Sequence, residues 1–202
     1  MSIEDYKKKS EAMQKEMAEQ ERLRAEHSEW EKKSKKSASE LRSLEYSKRK
    51  QKSDLLTDFI INRCEQEGLE VIKYSTGYHV ELGIKGTPPK VIYFKFLFND
   101  DYFICLDKDY HNYLVVYEGF NETKRISFRY VYKNYPVFKS DENWHNKNDC
   151  EDLLRDIERF KAEIEYDEVV KNFVSKNNLC IMIEECKDIF DDYEKFWKKI
   201  FE

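Results

Sequence analysis

The first 52 residues have the composition of one long helix. Neither Gly nor Pro occurs before Gly68, and most of the segment consists of the strong helix formers Glu, Lys, Gln, Ala, Arg and Met. Ser2 provides an N-cap, and Glu4 and Asp5 place acidic side chains in the first turn, where the helix dipole favours them. The pattern therefore predicts a helix over residues 3–52.

Apolar residues in this helix are few and fall partly on a seven-residue repeat. The main apolar residues are Tyr6, Met13, Met17, Leu23, Trp30, Leu41 and Leu44. The seven-residue spacing joins Tyr6 with Met13, and Leu23 with Trp30 and (across Ser37) Leu44, while Leu41 and Leu44 resemble an a/d pair. A lysine cluster at 32–36 interrupts the pattern, whereas a coiled coil needs apolar a and d positions over three or four heptads. Three structures stay open for this segment: a coiled coil, an arm that is ordered only by its partner, and a solvated helix.

The character of the chain changes at residues 53–54. Residues 55–64 carry a broad apolar face at helical spacing, and Gly68 follows as a left-handed C-cap. Segments that are predicted as strands come next, at 70–75, 78–84, 91–98, 102–106, 113–117 and 124–132. Short connections between successive strands favour antiparallel pairing, so we expect a meander of five or six strands.

The remaining chain predicts helices. One begins at Asn148 and Asp149, a second piece covers residues 166–174, and the last covers residues 179–201. The predicted fold class is α+β, in which a long N-terminal helix precedes a five- or six-stranded antiparallel sheet packed against N- and C-terminal helices. The predicted domains are a charged helical arm, residues 1–53, and an α+β globular domain, residues 54–202.

Composition limits the class of protein. Charged residues make up 38% of the chain, which is compatible with disorder, but the 15% aromatic content indicates a folded core. No apolar run approaches the roughly 18 residues that a membrane span needs, and the acidic start does not resemble a signal peptide. Five irregularly spaced cysteines do not suggest a disulfide framework. We therefore expect a cytoplasmic protein without membrane contact.

Patterns for catalysis are weak. The cysteines and histidines lack the spacing of zinc sites, and the chain contains no Gly-rich phosphate loop. A nuclease-like set is Asp107 or Asp109 followed by Glu122 and Lys124, where two carboxylates would hold Mg²⁺ and the lysine would orient water. Because Glu122 and Lys124 are predicted at a hairpin tip, outside a shared cleft, we predict no catalytic residue, no metal site and no cofactor.

Basic residues are concentrated on the arm and on one predicted strand. Residues 32–52 contain nine Lys or Arg and two acids, although the whole chain has a net charge of -5. The even spacing of Arg125, Arg129 and Lys133 places them on one strand face, opposite aromatic residues. Such surfaces suit phosphates and stacked bases. The residues predicted to contact nucleic acid or an acidic partner are Lys32, Lys33, Lys35, Lys36, Lys48, Arg49, Lys50, Arg125, Arg129 and Lys133.

The leading hypothesis is a non-enzymatic protein-interaction module. Residues 3–52 of the arm would mediate oligomerisation or contact a partner, with Trp30, Leu41 and Leu44 as partner-binding residues, and the α+β domain would dock a protein partner. The alternative is a nucleic-acid-associated protein, such as a component or an inhibitor of a microbial defence system. The sequence leaves the partner and the oligomeric state open.

Overall fold

The structure is a computed structural model that describes residues 3–75, 79–85, 92–99, 112–118, 121–138 and 150–201. Within these ranges the chain forms three helices and seven strands. The combination of a long N-terminal helix with an antiparallel sheet confirms the mixed α and β architecture that the sequence predicts. None of the helices in these ranges is long and apolar enough to cross a membrane.

The first helix, α1, covers Ile3–Gln66, so the predicted arm helix and the apolar helix that follows it form one element. Its end is built around Gly68, as predicted, because Gly68 has the left-handed φ of 73°. The Leu69 N–H donates to the Cys64 carbonyl at 2.9 Å, and the Gly68 N–H donates to the Glu65 carbonyl at 3.0 Å. These two bonds form a Schellman motif and satisfy carbonyls that the helix end would leave open.

The sheet is an antiparallel meander in which every strand pairs with the next one along the chain. Its strands are β1 Glu70–Ser75, β2 His79–Lys85, β3 Ile92–Asn99, β4 Asn112–Glu118, β5 Asn121–Val131, β6 Cys180–Ile183 and β7 Ile189–Phe190. The described sheet thus has seven strands rather than the expected five or six. The predicted strand at 102–106 lies outside the described residues.

The prediction of a helix over residues 179–201 is wrong for its first half. Cys180–Ile183 forms β6 and pairs with β5, Ile189–Phe190 forms β7, and helix α3 covers only Tyr193–Phe201. All four β6 residues are buried, and a short run that is apolar at every position fits a buried strand as well as a buried helix. Helix α2, Cys150–Lys176, is a single element where the sequence predicts two pieces.

Contacts divide the chain into two compact units. The helical unit contains Met1–Leu44 and Tyr135–Ser175, and the sheet unit contains Glu45–Asn134 and Lys176–Glu202. Helix α1 contributes residues to both units. The division falls between two adjacent residues of α1, before the domain boundary that the sequence predicts at residue 53.

Side chains from α1, the sheet and α3 form the core of the sheet unit. Leu56, Ile60 and Cys64 follow one another at steps of four residues and share one face of α1. The Phe128 ring of β5 contacts the Phe196 ring of α3, with 5.2 Å between the ring centroids. Burial raises the pKa of the Cys64 thiol to about 12, so this side chain serves as a small apolar group.

Leu55 and Leu56 allow a matched test of this core. The side chain of Leu56 is 0% exposed, whereas that of its neighbour Leu55 is 51% exposed. We expect Leu56→Ala to lower the free energy of unfolding by about 2–5 kcal/mol, because it leaves a cavity. Leu55→Ala should change the free energy of unfolding by about 0.5 kcal/mol or less. Urea unfolding followed by tryptophan fluorescence measures both values, and equal losses would contradict the burial.

Candidate partner-binding surface

In the helical unit, α1 and α2 lie side by side and run parallel. The His27 ring contacts the Phe160 ring at a centroid distance of 5.3 Å, and His27 Nε2 is 3.4 Å from Asp156 Oδ2. Further along both helices, the Ser34 hydroxyl donates to Glu163 Oε2 at 2.7 Å. The contacting positions increase together along the two helices, and this order establishes the parallel direction.

The residues that α1 uses for this contact follow a regular spacing. The buried residues Leu23, Ser34, Ser37 and Leu41, together with the half-buried His27 and Trp30, are separated by alternating steps of four and three residues. On α2, the buried residues Phe160, Asp167 and Val174 are seven positions apart. Both helices therefore use a seven-residue repeat for their contact within the helical unit.

A polar junction connects the helices at Ser37, Glu40, Asp167, Glu168 and Lys171. The Lys171 ammonium donates to Ser37 Oγ at 3.2 Å, to Glu40 Oε2 at 3.0 Å and to Glu168 Oε1 at 2.8 Å. Burial raises the pKa of Asp167, while the Ser37 hydrogen bond and the charge of Lys171 oppose this rise. For Lys171, burial lowers the pKa, but the hydrogen bonds with Glu168 and Glu40 outweigh it and the pKa is raised.

The three predicted arm residues have neighbours in the chain itself. Trp30 is half-buried, and its ring lies 4.4 Å from Lys33 Nζ and 5.0 Å from Lys161 Nζ. Leu41 is 9% exposed, and Leu44 is half-buried. Leu41 therefore has little surface left for a partner, and the three positions stay predictions as partner-binding residues.

A different set of apolar residues on α1 is exposed. Ile3 is 87% exposed, Tyr6 63%, Met13 56% and Met17 60%, and we call these four residues the apolar stripe. At 100° per residue they fall within about 80° of the helix circumference. Tyr6 and Met13 belong to the repeat seen in the sequence, but they are not among the predicted partner-binding residues. Periodicity alone does not reveal which part of a long helix remains exposed.

Most of the predicted basic contacts on α1 have acidic neighbours one helical turn away. The ion pairs are Lys33 with Glu29 at 2.6 Å, Lys35 with Glu31 at 2.6 Å, Lys36 with Glu40 at 3.9 Å and Lys50 with Asp54 at 4.0 Å. Hydrogen bonds from the lysines lower the pKa values of Glu29 and Glu31. Such exposed pairs add little stability, but they reduce the net positive charge of the surface. Lys32 is exposed.

The basic residues predicted on one strand face are also in contact with other side chains. Arg125 and Arg129 alternate along β5 with the buried Ile126, Phe128 and Tyr130, as the sequence predicts, and Lys133 lies just beyond the strand. The contacts are Arg125 with the Tyr113 ring at 5.5 Å, Arg129 with Glu184 at 2.9 Å and Lys133 with Asp191 at 3.3 Å. Hydrogen bonding to Lys133 lowers the pKa of Asp191. These contacts do not favour nucleic acid on this face, where binding stays a prediction.

A shallow groove of about 290 Å³ lies in the sheet unit. Its lining residues are Lys48, Gln51, Lys52, Leu55, Asn178, Leu179, Asp191 and Tyr193. Lys52 Nζ lies 4.1 Å from the centroid of the Tyr193 ring, and burial lowers the pKa of Lys52 and raises that of Tyr193. The neighbouring Arg49 donates to the Tyr130 carbonyl at 3.5 Å, so its guanidinium connects α1 to β5 within the sheet unit.

The nuclease-like set is only partly described. Asp107 and Asp109 lie outside the described residues. Glu122 and Lys124 lie in β5, and Glu122 directly follows the Glu118–Asn121 pair that closes the hairpin with β4. Lys124 Nζ donates to the Ile200 carbonyl at 3.4 Å. In the part of the chain that the structure describes, no three His, Cys, Asp or Glu side chains form a group that could hold a metal ion.

Comparison with known proteins gives no relative from which a function could be transferred. No protein-family model, no curated protein and no solved structure matches the chain. The surfaces of the chain itself are therefore the basis for a functional proposal.

Because of Asp167, the contribution of the polar junction to the free energy of unfolding depends on pH. Its pKa in the folded protein lies above the unfolded value of about 3.9, so ionisation favours unfolding. The stability that the protonated carboxyl provides is present below about pH 4 and is lost as the pH rises through the folded pKa. We expect Asp167→Asn, which cannot ionise, to raise the urea midpoint at pH 7, and we expect this gain to shrink towards pH 4.

Urea unfolding at several pH values between 4 and 7 measures this difference. Glu165→Gln is a matched control, because it removes an exposed carboxyl from the same helix. A gain from Asp167→Asn that stays constant across this pH range would contradict the raised pKa.

Proposed function

We propose that the chain is a non-enzymatic protein-interaction module. The N-terminal arm mediates oligomerisation or partner contact, and the α+β part of the chain docks a protein partner. The observation that carries this proposal is the apolar stripe, in which four large apolar side chains are 56–87% exposed on one side of α1. Single exposed apolar residues are common, whereas several large ones on one helix face are typical of a binding surface.

The energetics of helix formation support the same function. Every residue of α1 from position 3 to position 19 is exposed, so this stretch gains little from packing within the chain. Helices of this length are marginal in water unless an apolar face is buried. A partner that covers the stripe would supply the missing burial, at about 1.5–3 kcal/mol for each large apolar side chain that becomes fully covered.

A second group of exposed apolar residues belongs to the helical unit, within residues 54–202, and supports the docking role proposed for that part of the chain. We call Tyr135, Val137, Phe138, Tyr166 and Val169 the aromatic patch. Val137 is 82% exposed and Val169 is 57% exposed. The Phe138 and Tyr166 rings are 4.9 Å apart, and the Tyr166 hydroxyl donates to the Pro136 carbonyl at 2.9 Å. Contacts within the chain thus hold the Phe138 and Tyr166 side chains in place, which lowers the entropic cost of binding there.

Substitutions on the stripe test this proposal. Gln has a helix propensity close to that of Met, so Met13→Gln with Met17→Gln should keep α1 helical while removing apolar surface. We expect this double variant to weaken association at least about tenfold, since two apolar side chains no longer become buried. Sedimentation equilibrium measures self-association, and quantitative affinity capture from the native source measures binding of a different protein.

The chain offers a matched control for this test. Ala12 and Lys15 lie away from the stripe, so Ala12→Gln with Lys15→Gln places the same two side chains on another face of α1. This control should associate as the wild type does. If the stripe variant left both self-association and partner capture unchanged, the proposed role of the arm would be wrong.

A further inference from the structure

Two members of the apolar stripe fall on the seven-residue repeat that includes residues in contact with α2. Tyr6 and Met13 precede His27, Ser34 and Leu41 by multiples of seven residues, so all five positions belong to one repeat. His27 and Ser34 contact α2, and Leu41 is buried, whereas the first two members of the repeat are exposed. On a straight helix a seven-residue repeat drifts by about 20° per heptad, so the stripe faces a different side of α1 from the α2 contact.

Charged residues beside the stripe differ between its two halves. Within residues 3–21, four charged residues lie within about 100° of the centre of the stripe: Lys7, Lys9, Glu16 and Glu21. All four are exposed. Positive charge therefore flanks the first half of the stripe, and negative charge lies beside its second half and just beyond its end. A helix of this kind is complementary to its own reversed copy, because unlike charges meet at both ends.

We infer that residues 3–21 of two copies of this chain pair antiparallel through the apolar stripe. This inference rests on the proposed interaction function and names a second copy as the partner. A parallel pair would place Lys7 and Lys9 beside the same lysines of the other copy, whereas an antiparallel pair centred near Met13 places Lys9 beside Glu16 and Lys7 beside Glu21. The interface is isologous, so every favourable contact occurs twice and the assembly closes at two chains.

The small apolar area predicts a weak and salt-dependent dimer. Four apolar side chains from each copy form an interface at the low end of the size range for specific complexes. The flanking charges are exposed, so added salt screens their attraction. Association should therefore be visible at high protein concentration and should decrease as salt is added.

Charge exchange in the full chain tests the pairing and its direction. Lys7→Glu with Lys9→Glu, or Glu16→Lys with Glu21→Lys, brings like charges together in the antiparallel pair. Each double variant should dimerise at least about tenfold more weakly than the wild type at low salt. The quadruple variant, which carries both exchanges, restores unlike charges at both ends and should dimerise about as well as the wild type. Sedimentation velocity over a concentration series measures all four proteins, and circular dichroism confirms that their helix content is equal.

Mixing experiments separate the two directions. In the antiparallel pair, the quadruple variant meets like charges on a wild-type chain, so the two should not form mixed dimers. Preferential mixed dimers would indicate a parallel pair and would overturn the inference. Charge variants that all dimerise equally, or a wild-type chain that stays monomeric at every concentration, would also overturn it. Loss of partner capture in the Met13→Gln and Met17→Gln variant would then still support the proposed function, with a different protein as partner.

Discussion

The long helix α1 is stable only where other parts of the chain pack against it, and the rest of the structure depends on this packing. Helix α1 has 64 residues, and strong helix formers alone do not make a stable helix in water. In the sheet unit, Leu56 and Ile60 supply this packing as fully buried members of the core. In the helical unit, Leu23 and Leu41 are buried beside polar residues that contact α2. Only the first part of the helix, which is exposed throughout, has no comparable support among the described residues.

Polar residues make the contact between α1 and α2 specific rather than strong. Ser34, Ser37 and Asp167 are buried, although a stable helix seam favours apolar side chains at such positions. A desolvated carboxyl paired with Lys171 contributes little net stability, because the cost of burial offsets the attraction. A shift of α2 by one turn would, however, separate Asp167 from Ser37 and leave a buried carboxyl without its hydrogen bond. The polar junction therefore favours one register over its neighbours.

The sequence predicts the local elements of this fold better than their pairing. The absence of Gly and Pro before Gly68 predicts α1, and the alternation in β5 predicts which of its side chains are buried. The sequence predicts a helix at Cys180–Ile183, but all its residues are apolar, so periodicity does not distinguish a helix from a strand there. Burial and pairing with β5 favour the strand, and both are tertiary effects.

The contact between α1 and α2 is even harder to predict from a sequence pattern than the pairing of β6. Ser34 and Glu163 are 129 positions apart, and a heptad repeat shows which face of a helix is buried but not which helix covers it. If only apolar residues are counted as members of the repeat, the lysine cluster at 32–36 interrupts it. In the structure, Ser34 is buried within this cluster while its lysine neighbours are exposed. The repeat therefore continues through a small polar side chain that does not register as a core residue.

The residues on the seven-residue repeat of α1 are distributed against expectation for a chain that acts alone. Tyr6 and Met13 are 63% and 56% exposed, whereas Ser34 on the same repeat is 8% exposed. The larger apolar side chains thus lie where the chain leaves them in water, and a small polar side chain lies where the chain buries it. Burial within one chain favours the opposite order, because removal of apolar surface from water provides most of the packing energy. This distribution of side chains is expected if the first part of α1 is covered in an assembly, where its large apolar side chains supply affinity. The buried serines and Asp167 instead fix the register of α2.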